Sequence, residues 1–120
     1  SFEAAFKSIS PNEFSYLIIV TRGHHEDQTV LRWAVQTKAR YIGMIGSKVK
    51  KKALFQNLKQ EGITQSQLDR VFSPMGIDIS AILPEEIAVS VVAQMIESRR
   101  SKYCSVSKEK ASIKFPISLR

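Results

Sequence analysis

Residues 16–23 read YLIIVTRG and residues 40–47 read RYIGMIGS, and these two stretches decide the fold. Tyr16 to Val20 is a continuous apolar run of strand length, the pattern of a strand covered on both faces of a parallel sheet. Arg40 to Ile45 repeats it. After each run the chain passes a glycine and the hydrophobic period changes from strand to helix. Beyond Gly23, Val30, Leu31, Ala34 and Val35 form a helical stripe to about Thr37, with Glu26 and Asp27 in the first turn, where acids suit the helix dipole. Beyond Gly46, Ser47 is placed to cap a second helix. Val49, Ala53, Leu54 and Leu58 are its expected buried stripe, Lys50 to Lys52 its wet side and Gly62 its stop. Strand, helix, strand, helix with short links requires a parallel sheet with helical crossovers. The expectation is an α/β, Rossmann-like three-layer domain that lacks its N-terminal βαβ half.

The flanks fit around this centre. Phe2, Ala5, Phe6 and Ile9 share one helical face, which Ser10-Pro11-Asn12 ends. Thr64 and Gln67 have capping-box spacing ahead of Leu68 and Val71, so a short helix is expected there. Phe72 to Leu83 reads as irregular. Pro84 at a first helical position, followed by Glu85 and Glu86, opens the strongest helix, closed by Arg99 and Arg100. Ile87, Ala88, Val91, Val92, Met95 and Ile96, widened by Val89 and Ala93, predict that it is heavily buried. The domain is expected over residues 1–103, with a basic tail over 104–120. In that tail Ile113, Phe115, Ile117 and Leu119 alternate with polar residues and Pro116, which suits an edge strand at 113–119.

Composition narrows the function classes. With 120 residues, 43% hydrophobic and 24% charged, the chain suits one globular domain. No apolar run approaches the roughly 18 residues of a membrane helix. The net charge is +7, but residues 1–98 carry 11 Lys+Arg against 10 Asp+Glu, so the excess belongs to the tail. A nucleic-acid binder is expected to carry its charge on a folded face, and nucleic acid is not expected as a partner. The single Cys104 excludes an internal disulfide, and no secretory leader is read, so a cytoplasmic location is expected.

In parallel α/β sheets ligands sit at the carboxyl ends of strands, beside helix N-termini. Here those loops are Thr21 to His25 and Gly43 to Lys48. Gly43 and Gly46 allow close backbone approach, Ser47 adds a hydroxyl, and Lys48 and Lys50 add charge; equally, the two glycines could serve only tight packing. His24 and Asp27 share a helical face, but two ligands make no metal site, and exposed polar residues at a helix start explain them as well. A nucleophile with an adjacent base is missing, which points to a carrier more than a catalyst. There is also no G-x-G-x-x-G, so the usual dinucleotide fingerprint is absent.

Thr21-Arg22-Gly23-His24 with Asp27, Tyr41-Ile42-Gly43-Met44-Ile45-Gly46-Ser47 with Lys50, Pro74-Met75-Gly76-Ile77-Asp78-Ile79, and Pro84-Glu85-Glu86-Ile87-Ala88-Val89-Ser90 form an ordered set. In order and spacing, from about Tyr16 to Arg100, they resemble the C-terminal Rossmann domain of the XdhC/CoxI family, the xanthine dehydrogenase accessory proteins. The resemblance implies an accessory protein that binds the molybdenum cofactor (molybdopterin), assists its sulfuration and delivers it to xanthine dehydrogenase or a related molybdoenzyme. The implied cofactor-binding residues are Thr21, Arg22, Gly23, His24, Gly43, Gly46, Ser47 and Lys50, and a homodimer is expected. An NAD(P)-binding oxidoreductase domain and a ligand-free assembly module acting through its sheet edge are the alternatives. The chain departs from the family pattern in lacking the upstream GAGH-type turn, in Ser80 for a Gly, in Leu83 for a Thr and in Gln94 for a Glu. Leu83 cannot accept a capping hydrogen bond, so the capping box with Glu86 is expected to be lost, at a cost of about 1 kcal/mol.

Overall fold

The computed structural model describes residues 2–101, so Cys104 and the expected edge strand at 113–119 lie outside the described residues. In chain order the elements are α1 (Phe2–Ser8), β1 (Tyr16–Ile19), α2 (His24–Ala34), β2 (Tyr41–Met44), α3 (Lys48–Gln60), α4 (Gln65–Leu68), β3 (Val71–Phe72) and α5 (Pro84–Arg100). They fall into two compact units, the first ending at Pro74 and the second beginning at Met75.

The first unit is built on a three-stranded parallel sheet in the order β1-β2-β3, with Tyr16 beside Tyr41, Ile42 beside Val71 and Gly43 beside Phe72. This is a short Rossmann-like α/β arrangement. Side chains alternate along each strand and paired residues point the same way, so the register sorts the sheet into two faces. Leu17, Ile19, Ile42, Met44 and Val71 take one face. There they join Leu31, Ala34 and Val35 after β1, Leu54 and Leu58 of α3 and Leu68 of α4 in one apolar cluster. The other face carries rings: Tyr41 stacks on Phe72 at 5.1 Å between centroids, and Tyr16 tilts against Tyr41 at 6.0 Å. Burial pushes the Tyr41 phenol well above its ordinary pKa.

Helix ends explain how the crossovers stay short. α3 stops as its sequence foretells: Gly62 takes φ +100°, its N–H donates to Lys59 O at 3.0 Å, and Ile63 N–H donates to Leu58 O at 3.1 Å. That pair of bonds is a Schellman motif, and it turns Ile63 back against the apolar cluster. Thr64 then forms both halves of its capping box with Gln67. α2 ends differently. Arg70 reaches across to donate to the carbonyls of Val35 at 3.0 Å, Thr37 at 2.8 Å and Ala39 at 2.7 Å. A guanidinium fork thus closes the C-terminal end of α2 and the turn into β2. On the outside, Arg32 grips Glu61 through two bonds of 2.5 and 3.0 Å, tying α2 to the end of α3. The Arg32 guanidinium, helped by Gln28, holds the Glu61 carboxyl below its ordinary pKa.

Three expectations are corrected in this unit. Val71 belongs to β3, not to the helix before it, because pairing with Ile42 takes its backbone. Val49 is 80% exposed and Ala53 is exposed, so the buried stripe of α3 is carried by Leu54 and Leu58 with Phe55 beside them. α2 also ends at Ala34, short of Thr37.

The second unit holds the larger correction. α5 does start at Pro84, but its buried residues are Ser90, Val91, Gln94 and Ser98, while Val89, Val92 and Ile96 are 62%, 53% and 46% exposed. The reason is a close approach. Gly76, at φ +104°, lies so near the helix that a Cβ there would sit 2.4 Å from Ser90 Oγ. Its N–H donates to Gln94 Oε1 at 2.9 Å, and Ile77 N–H donates to Ser90 O at 3.1 Å. Only small or hydrogen-bonding side chains fit a helix face approached by backbone in this way. The capping correction is partial. Leu83 accepts no bond, but Glu86 Oε1 accepts from the N–H groups of Ile82 and Leu83, each at 2.9 Å, which holds its carboxyl below its ordinary pKa. Ser80, a position where the resemblance noted above leads one to expect Gly, takes the left-handed φ of +59°.

Two substitutions check these readings by chemical denaturation. Arg70→Met is expected to cost about 2–3 kcal/mol, since it strands carbonyls at the end of α2, and Arg70→Lys is expected to restore little because an ammonium lacks the fork. Leu83→Thr supplies the missing acceptor and is expected to stabilise the chain by about 1 kcal/mol.

Candidate functional site

The sheet's register brings the two βα loops side by side. β1 and β2 end at paired residues, Ile19 and Met44, and Ile45 N–H extends the ladder to Ile19 O at 3.2 Å. Beyond them lie the N-terminal turns of α2 and α3, so Thr21 to His24 and Ile45 to Ser47 meet at one end of the sheet, whereas Gly43, expected in that loop, lies within β2 between Ile18 and Phe72.

Asp27 holds that end together. It lies one turn into α2, in line with Leu31 and Ala34, and is 1% exposed. A carboxylate so placed must find partners inside the fold. The Thr21 hydroxyl donates to its Oδ1, and the Lys50 ammonium stands 2.5 Å from its Oδ2. The end of β1, the first turn of α2 and the first turn of α3 are therefore joined through one carboxyl group. Gly46 stands beside the Lys50 chain at φ +154°, a backbone conformation that side chains rarely adopt, and a Cβ there would lie in ordinary contact with Lys50 Cδ at 3.4 Å.

The eight residues singled out from sequence separate into two groups here. Thr21, Gly23, Gly43, Gly46 and Lys50 are buried or half-buried. Gly23 is the N-cap of α2 in extended conformation, without a side chain to cap it. Arg22, His24 and Ser47 are exposed. Ser47 caps α3, its Oγ accepting from Lys50 N at 3.1 Å, and its own hydroxyl proton is left to donate outward. Lys48 is exposed at the first position of the same helix, and Val20, Ile45 and Val49 add apolar surface at 64%, 45% and 80% exposure. The end of the sheet thus offers a helix N-terminus, two outward cations and an apolar rim. That combination suits an anionic group carried on a flat or apolar body.

In the sequence Asp27 reads as a helix-dipole acid, as half of a metal pair and as a motif residue, but its part in joining the two loops is not read there. The signal was present: Asp27, Leu31 and Ala34 fall at i, i+4 and i+7, so a charge sits on the buried stripe and demands a partner. No group of three or more His, Cys, Asp or Glu is placed to hold a metal among the described residues. A cavity of about 530 Å³ lies between α1 and α2, lined by Phe2, Glu3, His25, Glu26 and Thr29, and none of the eight residues lines it.

The ion pair can be tested apart from any ligand. Lys50→Met leaves Asp27 buried without its cation and is expected to cost about 3 kcal/mol. Because Lys50 is partly exposed, water will offset some of that loss. Adding Asp27→Asn is expected to recover most of it, and a double-mutant cycle read by urea denaturation gives the coupling.

The profile of the XdhC Rossmann domain matches residues 1–95. A protein of Bacillus subtilis strain 168, named as a probable subunit of xanthine dehydrogenase, is 32% identical over 101 residues, which are 80% of this chain and 28% of that protein. The uncharacterized protein YqeB of Escherichia coli K12 is 25% identical over 101 residues, 84% of this chain and 18% of its own length. Among solved structures, one described as a xanthine dehydrogenase from Bacillus halodurans superposes with a TM-score of 0.69 at 34% identity, covering 90% of this chain and 30% of that one. The chain therefore spans less than a third of the length of these relatives. With its paired βα loops and the match over residues 1–95, it belongs to the XdhC Rossmann-domain family.

Proposed function

We propose that this chain serves as the cofactor-holding part of a xanthine dehydrogenase accessory protein, a chaperone that carries molybdopterin to xanthine dehydrogenase or a related molybdenum hydroxylase. The observation that carries this reading is the alignment, through Asp27, of two helix N-termini at one end of the sheet. A phosphate meeting the first turn of α3 finds unpaired backbone N–H groups, the Ser47 hydroxyl and the Lys48 ammonium. Arg22, exposed at the end of β1, would pair with the anionic part, and His24 would hydrogen-bond the ligand from the first turn of α2. Val20, Ile45 and Val49 would cover part of a flat heterocycle. Lys50 contributes by holding Asp27 and so fixing the two loops.

The donor set fits a pterin phosphate: it is cationic, rich in N–H and O–H donors, and edged by apolar side chains. The cofactor supplies redox chemistry in its client enzyme, and the residues here bind and orient it. The name of the Bacillus subtilis relative, which ties that protein to xanthine dehydrogenase, supports a molybdoenzyme as partner.

Titration calorimetry of the chain with molybdopterin, beside NAD(P), tests the reading. Saturable pterin binding without NAD(P) binding is expected. Ser47→Asp keeps a good helix cap but adds a negative charge facing the phosphate, so it is expected to weaken binding by at least about tenfold with no loss of stability. Preference for NAD(P), or pterin binding indifferent to Ser47→Asp, overturns the assignment.

A further inference from the structure

Four of the first five residues of α3, Lys48, Lys50, Lys51 and Lys52, are lysine, Lys59 follows in its last turn, and the helix holds no acid. The first turn of a helix carries the positive end of its dipole, so cations there work against the fold. Two of the five are engaged within the unit: Lys50 reaches Asp27, and the Lys51 ammonium stands 5.3 Å from the centre of the Phe55 ring. Lys48, Lys52 and Lys59 are exposed, and among the described residues no carboxylate pairs with them.

A seam runs beside these cations. Val49, Ala53, Gln56 and Gln60 follow one another at spacings of four, three and four, and all are exposed, Val49 at 80%. That is the period along which two helices pack side by side. On this seam Lys52 and Lys59 take the same flanking position, seven residues and roughly 10 Å apart.

Charge selects the occupant. A second copy of α3 packed antiparallel sets these lysines against the same lysines. Packed parallel, it sets them against Lys50 and Asn57, neither of them an acid. The seam therefore rejects itself and is complementary to a helix whose carboxylates recur every seven residues. A nucleic acid fits it less well, for the seam carries no arginine to read a base edge and no ring to stack on a base.

We propose that α3 is a docking surface for an acidic helix of a partner protein, seated along Val49, Ala53, Gln56 and Gln60 with its carboxylates paired to Lys52 and Lys59. On the function proposed above, that partner is the enzyme receiving the cofactor, since the stripe starts at Lys48 of the candidate site. The docking itself needs no cofactor, so the two readings fail separately. One helix seam buries less than the roughly 800 Å² per partner of a standard interface, so the contact is weak, in the micromolar range.

Fluorescence anisotropy of the full chain with a labelled helical peptide tests this, the peptide carrying an apolar seam flanked by glutamates every seven residues. Saturable micromolar binding is expected, and a peptide of the same composition with its glutamates moved off that spacing is expected to bind about tenfold more weakly. Lys52→Glu with Lys59→Glu is expected to weaken binding by at least about tenfold and to bind instead a peptide with lysines in place of the glutamates. Both positions are exposed, so far-UV circular dichroism is expected to stay unchanged. Replacing Lys108, Lys110 and Lys114 of the basic tail by serine is expected to leave the affinity as it was. Absence of saturable binding overturns the inference, and so does equal binding of the two glutamate peptides or indifference to the double reversal. Binding lost with the tail lysines would put the contact in the tail and overturn it equally. Duplex DNA that binds Lys52 and Lys59 more tightly than the peptide would make the surface a nucleic-acid site and also overturn it.

Discussion

A negative charge at 1% exposure, on the stripe of α2 that faces the apolar cluster, is the constraint on which the rest of the first unit depends. The Asp27 carboxylate is too costly to bury alone, and the fold answers it from two directions. The hydroxyl of Thr21 comes from the end of β1 and the ammonium of Lys50 from the first turn of α3. For both to arrive, β1 and β2 must end level, and α3 must start beside α2. Gly46 must also take the φ of +154° that turns the chain from β2 towards α3. One charge therefore fixes the relative height of three elements. Those are the elements that carry the residues proposed to bind the cofactor, so on that proposal the demand for charge neutralisation also places the site.

The opposite end of α2 is fixed by a different device. The carbonyl of its C-cap residue Val35 and those of Thr37 and Ala39 in the following turn are collected by Arg70, which stands immediately before β3. The two-residue strand is too short to owe its position to ladder hydrogen bonds alone. Arg70 anchors its start, and Val71 and Phe72 fill the two faces of the sheet. α2 is thereby held at both ends by charged side chains of other elements. The crossover from β1 to β2 is tied to other elements at its first turn and again after its last, and the candidate site rests on the first of these ties.

What was legible in sequence follows from how local each signal is. The runs YLIIV and YIGMI announce strands because continuous β-branched and apolar residues suit a buried pleat. Ser47, Thr64 and Gly62 act within three residues of themselves, and each does what its type suggests. Arg70 and Lys50 act across 31 and 23 positions, and nothing in their neighbourhood announces that reach. Val71 illustrates competition. It completes a helical period with Leu68, yet the partner that decides its state is Ile42, far away in sequence. For the candidate site, the loops were readable from strand, glycine and helix order. The division of labour within them was not, because Lys50 and Lys48 look alike until burial separates them.

α5 shows the limit of periodicity most clearly. When apolar residues surround most of a helix, their arrangement cannot say which side is seated. The choice was made by Gly76, whose backbone approaches so closely that it accepts only Ser90 and the amide of Gln94 beneath it. A position that demands small, hydrogen-bonding partners turns the polar side of the helix inward. Geometry then leaves Val89, Val92 and Ile96 on the outside, whatever their transfer free energy. The same glycine that specifies the seat of α5 thus creates an apolar seam with no role in that seat.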